Sequence, residues 1–446
     1  MIAVRSHIAE LSAEQRTLLL DRRPTDDAGV RDRVRALLAD VRDRGDDALL
    51  EMASTLDRVE LASLEVPRER CEAALTTLPT PLCAALEHAV HNISVFHRAQ
   101  LPAELSIEVE PGVRLGRRFG PLAVAGVYAP GGRAAYPSSV LMGVVPARVA
   151  GVPEVVVCSP PNETGEPPAA ILAAAALAGA TRVFALGGAG AVGAMAYGTP
   201  SVPRCDAVVG PGNRWVLEAK RQVAGDVRID SPAGPSELLV LSDGSADPEL
   251  VAAELIAQAE HDPDAAVVLL TTEAVELDSV AAALARQVAG APRRDVVGAA
   301  LSGRGALLLA DDLEEALAFT NACAPEHVLV VMRDPAGIAA RVRTAGTVFV
   351  GPSSSVAFGD YLTGANHVLP TGGAARSFAG LSALDFLRSW SYQEVTPSAA
   401  RALAKDAALL ADAEGLPGHA AAARLRARSG STPAAPGVAT RPKDNR

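Results

Sequence analysis

Four histidines in the later part of the chain are the first candidates for chemistry. Of eight histidines, only His261, His327, His367 and His419 follow residue 97, and each lies in a polar segment punctuated by Gly or Pro. An imidazole titrates near neutral pH and is a common metal ligand. A single histidine in such a segment is more often structural, but four together favour a catalytic or metal site.

The segment "AQAEHDPDA", residues 257–265, follows an amphipathic run and contains Gln258 and His261. Residues three apart share one helix face, and Pro263 biases Asp262 away from helical geometry, so the helix should end near His261. The same pattern also fits an ordinary polar helix end in which the dipole favours His261. Glutamine is an unusual metal ligand, although its carbonyl oxygen can bind a metal.

Two further segments combine histidine with a carboxylate. "APEHVLVV" places Glu326 and His327 at the start of a strand, where they could act as an acid–base pair or form a charged strand end. "FGDYLTGANHVLPTGG", residues 358–373, places Asp360 and His367 among glycines that allow close backbone approach.

Near the C-terminus, "AEGLPGHAAAARLR" places Glu414 and His419 on either side of a turn between helices. By itself this segment is compatible with many structures.

Several glycine-rich loops could bind phosphate. "LGGAGAVGAM" contains Gly188-x-Gly190-x-x-Gly193 between a predicted strand and a helix, which is formally a dinucleotide fingerprint. The pattern is weak, because the chain has 38 glycines and lacks the acidic residue expected about 20 positions later. The loops "YAPGGRAAYPSS" and "GPGNRWV" also lie between strand and helix and could bind an anion.

Composition narrows the class of protein. The formal net charge of −11 and the absence of a basic segment interleaved with aromatics argue against nucleic-acid or anionic-membrane partners. The five isolated cysteines indicate a reducing compartment. Since neither a signal peptide nor a membrane span is indicated, we expect a cytoplasmic protein.

Short apolar runs alternate with helix-length segments after residue 120, which predicts an α/β fold with parallel sheets covered on both faces. We expect five regions: a helical arm (1–25), a discontinuous domain (26–121 plus 237–381), an inserted domain (122–236), a C-terminal helical segment (382–428) and a disordered tail (429–446).

Taken in order, nine motifs resemble the histidinol dehydrogenase family from about residue 28 to 428. They are "GVYAPGG", "YPSSVLM", "GPGN", "AGPSE", "QAEHDP", "PEH", "GDY", "NHVLPT" and "EGL..HA". Each motif is weak alone, but nine in register make a specific match.

The resemblance implies two Rossmann-like domains and a homodimer in which the C-terminal helical segment crosses to the partner subunit. It implies oxidation of L-histidinol to L-histidine through L-histidinal, in two hydride transfers to NAD. It also implies a bound zinc ion, which would orient the substrate. The roles implied for residues of this sequence are zinc ligands Gln258, His261, Asp360 and His419; catalytic residues Glu326 and His327; substrate contacts Ser236, His367 and Glu414 together with Gln258, His261, His327, Asp360 and His419; and NAD contacts at Tyr128, Gly190 and Asn213. The ligand His419 would come from the partner subunit.

Some residues depart from the family pattern. Gly190 stands where many members carry Gln or Thr, and "GPSSSVA" contains Ser353 and Val356 where the family often has Trp and Glu. An alternative function is therefore a zinc dehydrogenase of the same fold that oxidises another polar alcohol to its acid. A zinc hydrolase using Glu326 as base would need no NAD, and no HExxH-type helix supports it.

Overall fold

A computed structural model gives the fold and describes residues 2–22, 27–131, 135–231 and 234–428. The chain divides into two compact units. The first contains residues up to Leu101 together with residues 121–387, and the second contains residues 102–120 and those from Arg388 onward. The expected disordered tail, residues 429–446, lies outside the described residues.

The described residues form fifteen strands. In chain order they are β1 Val4–His7, β2 Glu65–Val66, β3 Leu105–Glu110, β4 Val113–Pro121, β5 Val124–Tyr128, β6 Glu154–Ser159, β7 Arg182–Ala185, β8 Ala207–Val209, β9 Arg228–Ile229, β10 Glu237–Ser242, β11 Ala266–Thr271, β12 Gly305–Leu309, β13 His327–Val331, β14 Thr347–Val350 and β15 Leu387–Val395.

Seventeen α-helices lie between and after these strands in the described ranges. They are α1 Ala13–Leu20, α2 Ala28–Arg44, α3 Asp46–Met52, α4 Arg68–Thr77, α5 Thr80–Ala99, α6 Pro137–Val149, α7 Ala169–Ala178, α8 Gly188–Tyr197, α9 Arg214–Val223, α10 Pro248–Ala259, α11 Ala274–Gly290, α12 Arg294–Arg304, α13 Leu313–Cys323, α14 Pro335–Ala339, α15 Val356–Tyr361, α16 Pro397–Ala413 and α17 Pro417–Arg428.

One six-stranded sheet of the first unit has the order β1-β12-β11-β10-β13-β14 and is parallel throughout. Every residue of its four central strands, β10 to β13, is buried. Their apolar runs therefore indicated a parallel sheet correctly, because both faces are covered.

The other six-stranded sheet has the order β2-β7-β6-β5-β8-β9, and only its edge strand β2 is antiparallel. The chain runs outward from β5 through β6 to β7 and then returns to the other side of β5 to form β8. The carboxyl ends of the strands that flank such a reversal, here β5 and β8, are where α/β sheets commonly bind ligands.

The expected grouping of residues 26–121 with residues 237–381 differs from the structure. Helices α2 and α3 bury Val34, Leu38 and Leu49 in one core with Phe184 and Val208 of the β5–β9 sheet. The other face of that sheet is covered in part by α5. An amphipathic pattern shows that a helix has a buried face, but it does not show which sheet that face covers.

Both ends of the chain also contain strands that the sequence did not indicate. Strand β1 pairs with β12 at the edge of the first sheet, within the arm expected to be helical. In the second unit β15, β4 and β3 form a small sheet, followed by α16 and α17, which bury Ala408, Ala411 and Ala420 between them. Strand β15, "LRSWSYQEV", is polar and largely exposed, so it lacked the apolar run that marked the other strands. Among the described residues no helix is long and apolar enough to cross a membrane.

Candidate active site

Glu326 and His327 lie at the amino end of β13, where the chain leaves α13. Ala324 ends that helix in the left-handed conformation, with φ of 49°, which is uncommon for a residue other than glycine. His327 is 3% exposed and Glu326 is 6% exposed. The two side chains contact each other, with 3.4 Å between His327 Nδ1 and Glu326 Oε2.

The hydrogen bonds of the pair fix the orientation of the imidazole. His327 Nδ1 lies 3.0 Å from the carbonyl oxygen of Glu237, and the peptide N–H of Glu237 donates to Glu326 Oε2 at 2.7 Å. Since a carbonyl oxygen only accepts, Nδ1 carries a proton. In the neutral ring Nε2 is then the basic nitrogen, and it lies 3.8 Å from Asp360 Oδ1.

Burial and charge shift both groups of the pair. Burial raises the pKa of Glu326, although the neighbouring His327 opposes this shift. Burial also disfavours the charged form of His327, but the carboxylates of Glu326 and Asp360 outweigh it and raise its pKa to about 9. At neutral pH the imidazole therefore carries its positive charge, and Nε2 acts as a base only after it has released a proton.

Asp360 and His367 approach the pair from α15 and the loop that follows it. His367 Nδ1 lies 2.9 Å from the carbonyl oxygen of Asp360, and Nε2 lies 3.5 Å from Ser139 Oγ of α6. Gly359 has no side chain, so α15 can lie against the ring of Phe349, which itself stacks near His327. The pKa of His367 is lowered by burial, with further contributions from the charges of His327 and His261.

Gln258 and His261 lie at the end of α10, which packs against α15. Glu254 of α10 accepts a hydrogen bond from the peptide N–H of Val356 at 3.1 Å and so fixes the start of α15. The helix ends at Ala259, two residues before His261, close to the expected end. Gln258 is 1% exposed, and its Oε1 is buried without a hydrogen-bond partner in the described structure.

The remaining expected site residues lie in different places. Ser236 is half-buried directly before β10. Glu414 and His419 belong to the second unit and are exposed, at the end of α16 and in α17. Within the described ranges no three His, Cys, Asp or Glu side chains are grouped to hold a metal ion. The expected ligand set includes only two such residues from the first unit, His261 and Asp360.

Tyr128 ends β5, at the carboxyl edge of the sheet where the strand order reverses. It is buried, its hydroxyl accepts a hydrogen bond from the peptide N–H of Gly188 at 3.3 Å, and burial raises its pKa to about 12. Asn213 caps α9, and its Oδ1 accepts hydrogen bonds from Trp215 N and Val216 N at 3.0 and 3.2 Å. The capping leaves the amide nitrogen of Asn213 as the group that could contact a ligand.

A buried ion pair holds the loop that joins β8 to α9. Gly210 follows β8 with φ of +116°, its N–H donates to Asp230 at 2.8 Å, and its carbonyl accepts from Lys220 at 3.0 Å. Lys220 and Asp230 also contact each other, and both are buried. Gly190 lies inside α8, where a β-carbon would meet Met52 and Leu49 of α3.

Sequence reasoning missed several residues of this arrangement. Ser139, which contacts His367, lies in the quoted motif "YPSSVLM", but a serine in a helix has no chemical pattern of its own. Glu237 acts through contacts with residues far away in sequence, and Lys220 and Asp230 act through contacts with each other and with Gly210 across a helix. No spacing rule indicates contacts of that kind.

Comparison with known proteins decides the family. The family model described as histidinol dehydrogenase matches residues 20–427. The histidinol dehydrogenase of Methanosarcina mazei is 46% identical over 407 residues, which cover 91% of this chain and 93% of that protein. The enzyme of Natronomonas pharaonis is 48% identical over 419 residues, covering 93% and 97%.

This chain belongs to the histidinol dehydrogenase family. The crystal structure of histidinol dehydrogenase from Elizabethkingia anophelis superposes with a TM-score of 0.91, at 33% identity, covering 96% of this chain and 98% of that one. The resemblance of the nine motifs and the expected α/β fold are thereby confirmed. As a member of the histidinol dehydrogenase family, the protein is an oxidoreductase of histidine biosynthesis.

Proposed function

We propose that this protein oxidises L-histidinol to L-histidine in two NAD-dependent steps, with zinc bound beside the catalytic pair. The observation that carries the proposal is the buried Glu326–His327 pair, whose Nδ1 contact with the carbonyl of Glu237 makes Nε2 the base on the side of Asp360. Conversion of an alcohol to an acid needs a group there that repeatedly removes protons.

The donors in the first unit suit zinc. An uncharged amide oxygen that is buried without a hydrogen-bond partner, as in Gln258, is costly unless a ligand binds it. Asp360 supplies a carboxylate on the neighbouring helix, and His261 acts electrostatically on the nearby His367. The fourth donor would be His419 of a second subunit. Zinc held by N and O donors with one carboxylate can accept further ligands and would hold the imidazole and amine of an amino alcohol.

The residues of the chain would then move the protons. In the first oxidation, Nε2 of His327 in the neutral form of the ring takes the proton of the substrate hydroxyl, while hydride leaves the carbon for NAD. Glu326, whose pKa is raised by burial, then takes a proton from the water that hydrates the aldehyde. After its first proton has passed to solvent, His327 takes a hydroxyl proton from the hydrate in the second oxidation, while a second hydride leaves the carbon for a second NAD. Contacts from Ser236, His367 and Glu414 would orient the substrate.

NAD would bind at the carboxyl edge of the β5–β9 sheet and would accept the hydride. Tyr128 ends β5 where the strand order reverses, and α8 begins beside it at Gly188. At the start of α9 the side-chain amide nitrogen of Asn213 could donate to the cofactor, because its Oδ1 already caps the helix. Gly190 offers no side chain for such a contact, so we propose that binding there relies on the backbone.

A homodimer with a shared active site is part of the proposal. In the second unit, α16 and α17 expose apolar side chains, including Leu409, Leu410 and Leu425, which are 56–68% exposed. Contiguous exposed apolar residues favour association. We propose that α16 and α17 contact the partner subunit and that Glu414 and His419 complete its active site.

A turnover assay tests this function. Purified protein loaded with zinc is given L-histidinol and NAD, and NADH is measured until substrate is exhausted. We expect two NADH per substrate molecule, with histidine as the product. If L-histidinol is not oxidised while another amino alcohol or polyol is, the protein is instead a dehydrogenase of the same fold with a different substrate. The changes at Gly190, Ser353 and Val356 are the sequence features that favour this second candidate.

A further inference from the structure

Glu237 lies at the amino end of β10, directly behind the catalytic pair. The residue is 3% exposed, and its carboxylate accepts hydrogen bonds from two peptide N–H groups, Gly372 at 2.8 Å and Glu326 at 3.3 Å. The main chain of Glu237 also contacts the pair. Its N–H donates to the Glu326 carboxylate, and its carbonyl oxygen faces His327 Nδ1. Glu237 and Glu326 thus bind each other reciprocally, each carboxylate to the other's N–H.

Arg22 holds the Glu237 carboxylate from the opposite side. Its Nε and Nη2 donate to the two carboxylate oxygens at 2.9 and 3.0 Å, a two-point contact that fixes the plane of the carboxylate. Arg22 also donates to the carbonyl oxygens of Leu19 and Cys323. It is 4% exposed and therefore part of a fully buried ion pair.

This ion pair connects four segments that carry or support the site. They are the segment after α1, the start of β10, the turn from α13 to His327, and the loop that follows α15 and contains His367 and Gly372. A buried ion pair of this type rarely adds net stability over apolar packing, because the desolvation of two charges offsets their attraction. Its geometry instead restricts where the peptide groups of residues 326 and 372 can lie.

We propose that Arg22 and Glu237 are positioning residues for the Glu326–His327 pair, and this inference rests on the proposed function above. Neither side chain needs to touch the substrate. By holding the N–H of Glu326 and the loop at Gly372, the Glu237 carboxylate keeps Nε2 of His327 and the Glu326 carboxylate directed at one place. Since small displacements of a base cost reactivity more than binding, the effect should fall on kcat.

The test uses Glu237→Gln in the full zinc-loaded enzyme, with Glu276→Gln as the matched control. Glu276 is a buried carboxylate at the other end of the same strands, where Ser242 and Thr271 donate to it at 2.5 Å. We expect kcat of Glu237→Gln to fall roughly 10- to 100-fold, with KM for L-histidinol and NAD changed less than about threefold. Glu276→Gln should keep kcat within about twofold of the wild type.

A double variant separates positioning from stability. Glu237→Gln alone leaves the positive charge of Arg22 buried without a partner. The double variant Arg22→Met with Glu237→Gln removes that unpaired charge. We expect the double variant to recover the urea midpoint of unfolding but not kcat. Recovery of kcat together with stability would overturn the positioning role, as would a Glu237→Gln enzyme that matches Glu276→Gln. If neither the wild type nor Glu276→Gln oxidises L-histidinol, the proposed function itself has failed.

Discussion

The buried oxygen of Gln258 allows a prediction about stability. Without zinc the Gln258→Met variant should be more stable than the wild type, and with zinc it should be less stable. Oε1 of Gln258 is buried and accepts no hydrogen bond in the described structure, and the side chain is 1% exposed. The side chain of methionine has nearly the same length, and its sulfur can be buried without a hydrogen bond at little cost. Because an unsatisfied buried polar group costs about 1–3 kcal/mol, metal-free Gln258→Met should exceed the wild type in free energy of unfolding by about 1–2 kcal/mol.

Zinc should change the sign of this difference. At a free zinc concentration 100 times its dissociation constant, binding adds about 2.7 kcal/mol to the stability of the wild type. A variant that binds about 100-fold more weakly gains only about 0.4 kcal/mol at the same concentration. The wild type then becomes the more stable protein, by about 0.3–1.3 kcal/mol.

The measurement is urea unfolding of both proteins, once with a chelator and once with buffered zinc. Gln222→Met is the matched control, since the amide of Gln222 donates to Arg31 O and Glu218 Oε1, both at 2.9 Å. That variant should be less stable than the wild type in both conditions and should keep the full increment from zinc. If Gln258→Met gains as much from zinc as the wild type, Gln258 is not a ligand. If it gains no stability in chelator, the buried oxygen is not costly.

Three further predictions concern the reaction, the dimer and the cofactor loop. Glu326→Gln should slow the oxidation of histidinal by about 10²–10⁴-fold and that of histidinol by much less, because only the oxidation of histidinal needs an activated water. Equal slowing of both steps in single-turnover experiments would contradict the role of Glu326 in activating water. Inactive His419→Asn and His327→Asn subunits, mixed equally, should recover about a quarter of wild-type activity if each site takes His419 from its partner. The reason is that about half of the dimers are then mixed and each mixed dimer has one intact site. No recovery means that His419 acts in its own subunit. Gly210→Ala should lose about 1–3 kcal/mol of stability, because φ is +116° and a β-carbon would overlap a carbonyl oxygen of β5. Gly225→Ala is the control, since the space around Gly225 is open. Equal unfolding midpoints of the two variants would argue against a strained loop.

The contact between Glu326 and His327 and the parallel sheets could be predicted because their signals are local. Glu326 and His327 are adjacent in sequence, and the apolar run after them predicts the buried strand that His327 begins. The end of α10 near His261 likewise follows from Pro263. Such features depend only on neighbouring residues, so the sequence contains all the information they require.

The supporting contacts could not be predicted, because they join residues far apart. Arg22 and Glu237 are 215 positions apart, and nothing in either segment indicates the other. The assignment of α2 and α5 to the wrong sheet has the same cause, since an apolar helix face fits any sheet of suitable size. The polar strand β15 was missed for a different reason, because its exposure removes the hydrophobic signal that identifies buried strands.

Strand β1 has a consequence for synthesis on the ribosome. It pairs in register with β12, so that Val4 lies beside Ala306 and His7 beside Leu309. At typical elongation rates of about 5–20 residues per second, β1 emerges roughly 15–60 s before its partner does. The β5–β9 sheet, whose last strand ends at Ile229, can fold during that interval. Strand β1 must meanwhile stay unpaired, and an unpaired strand is open to association with other chains.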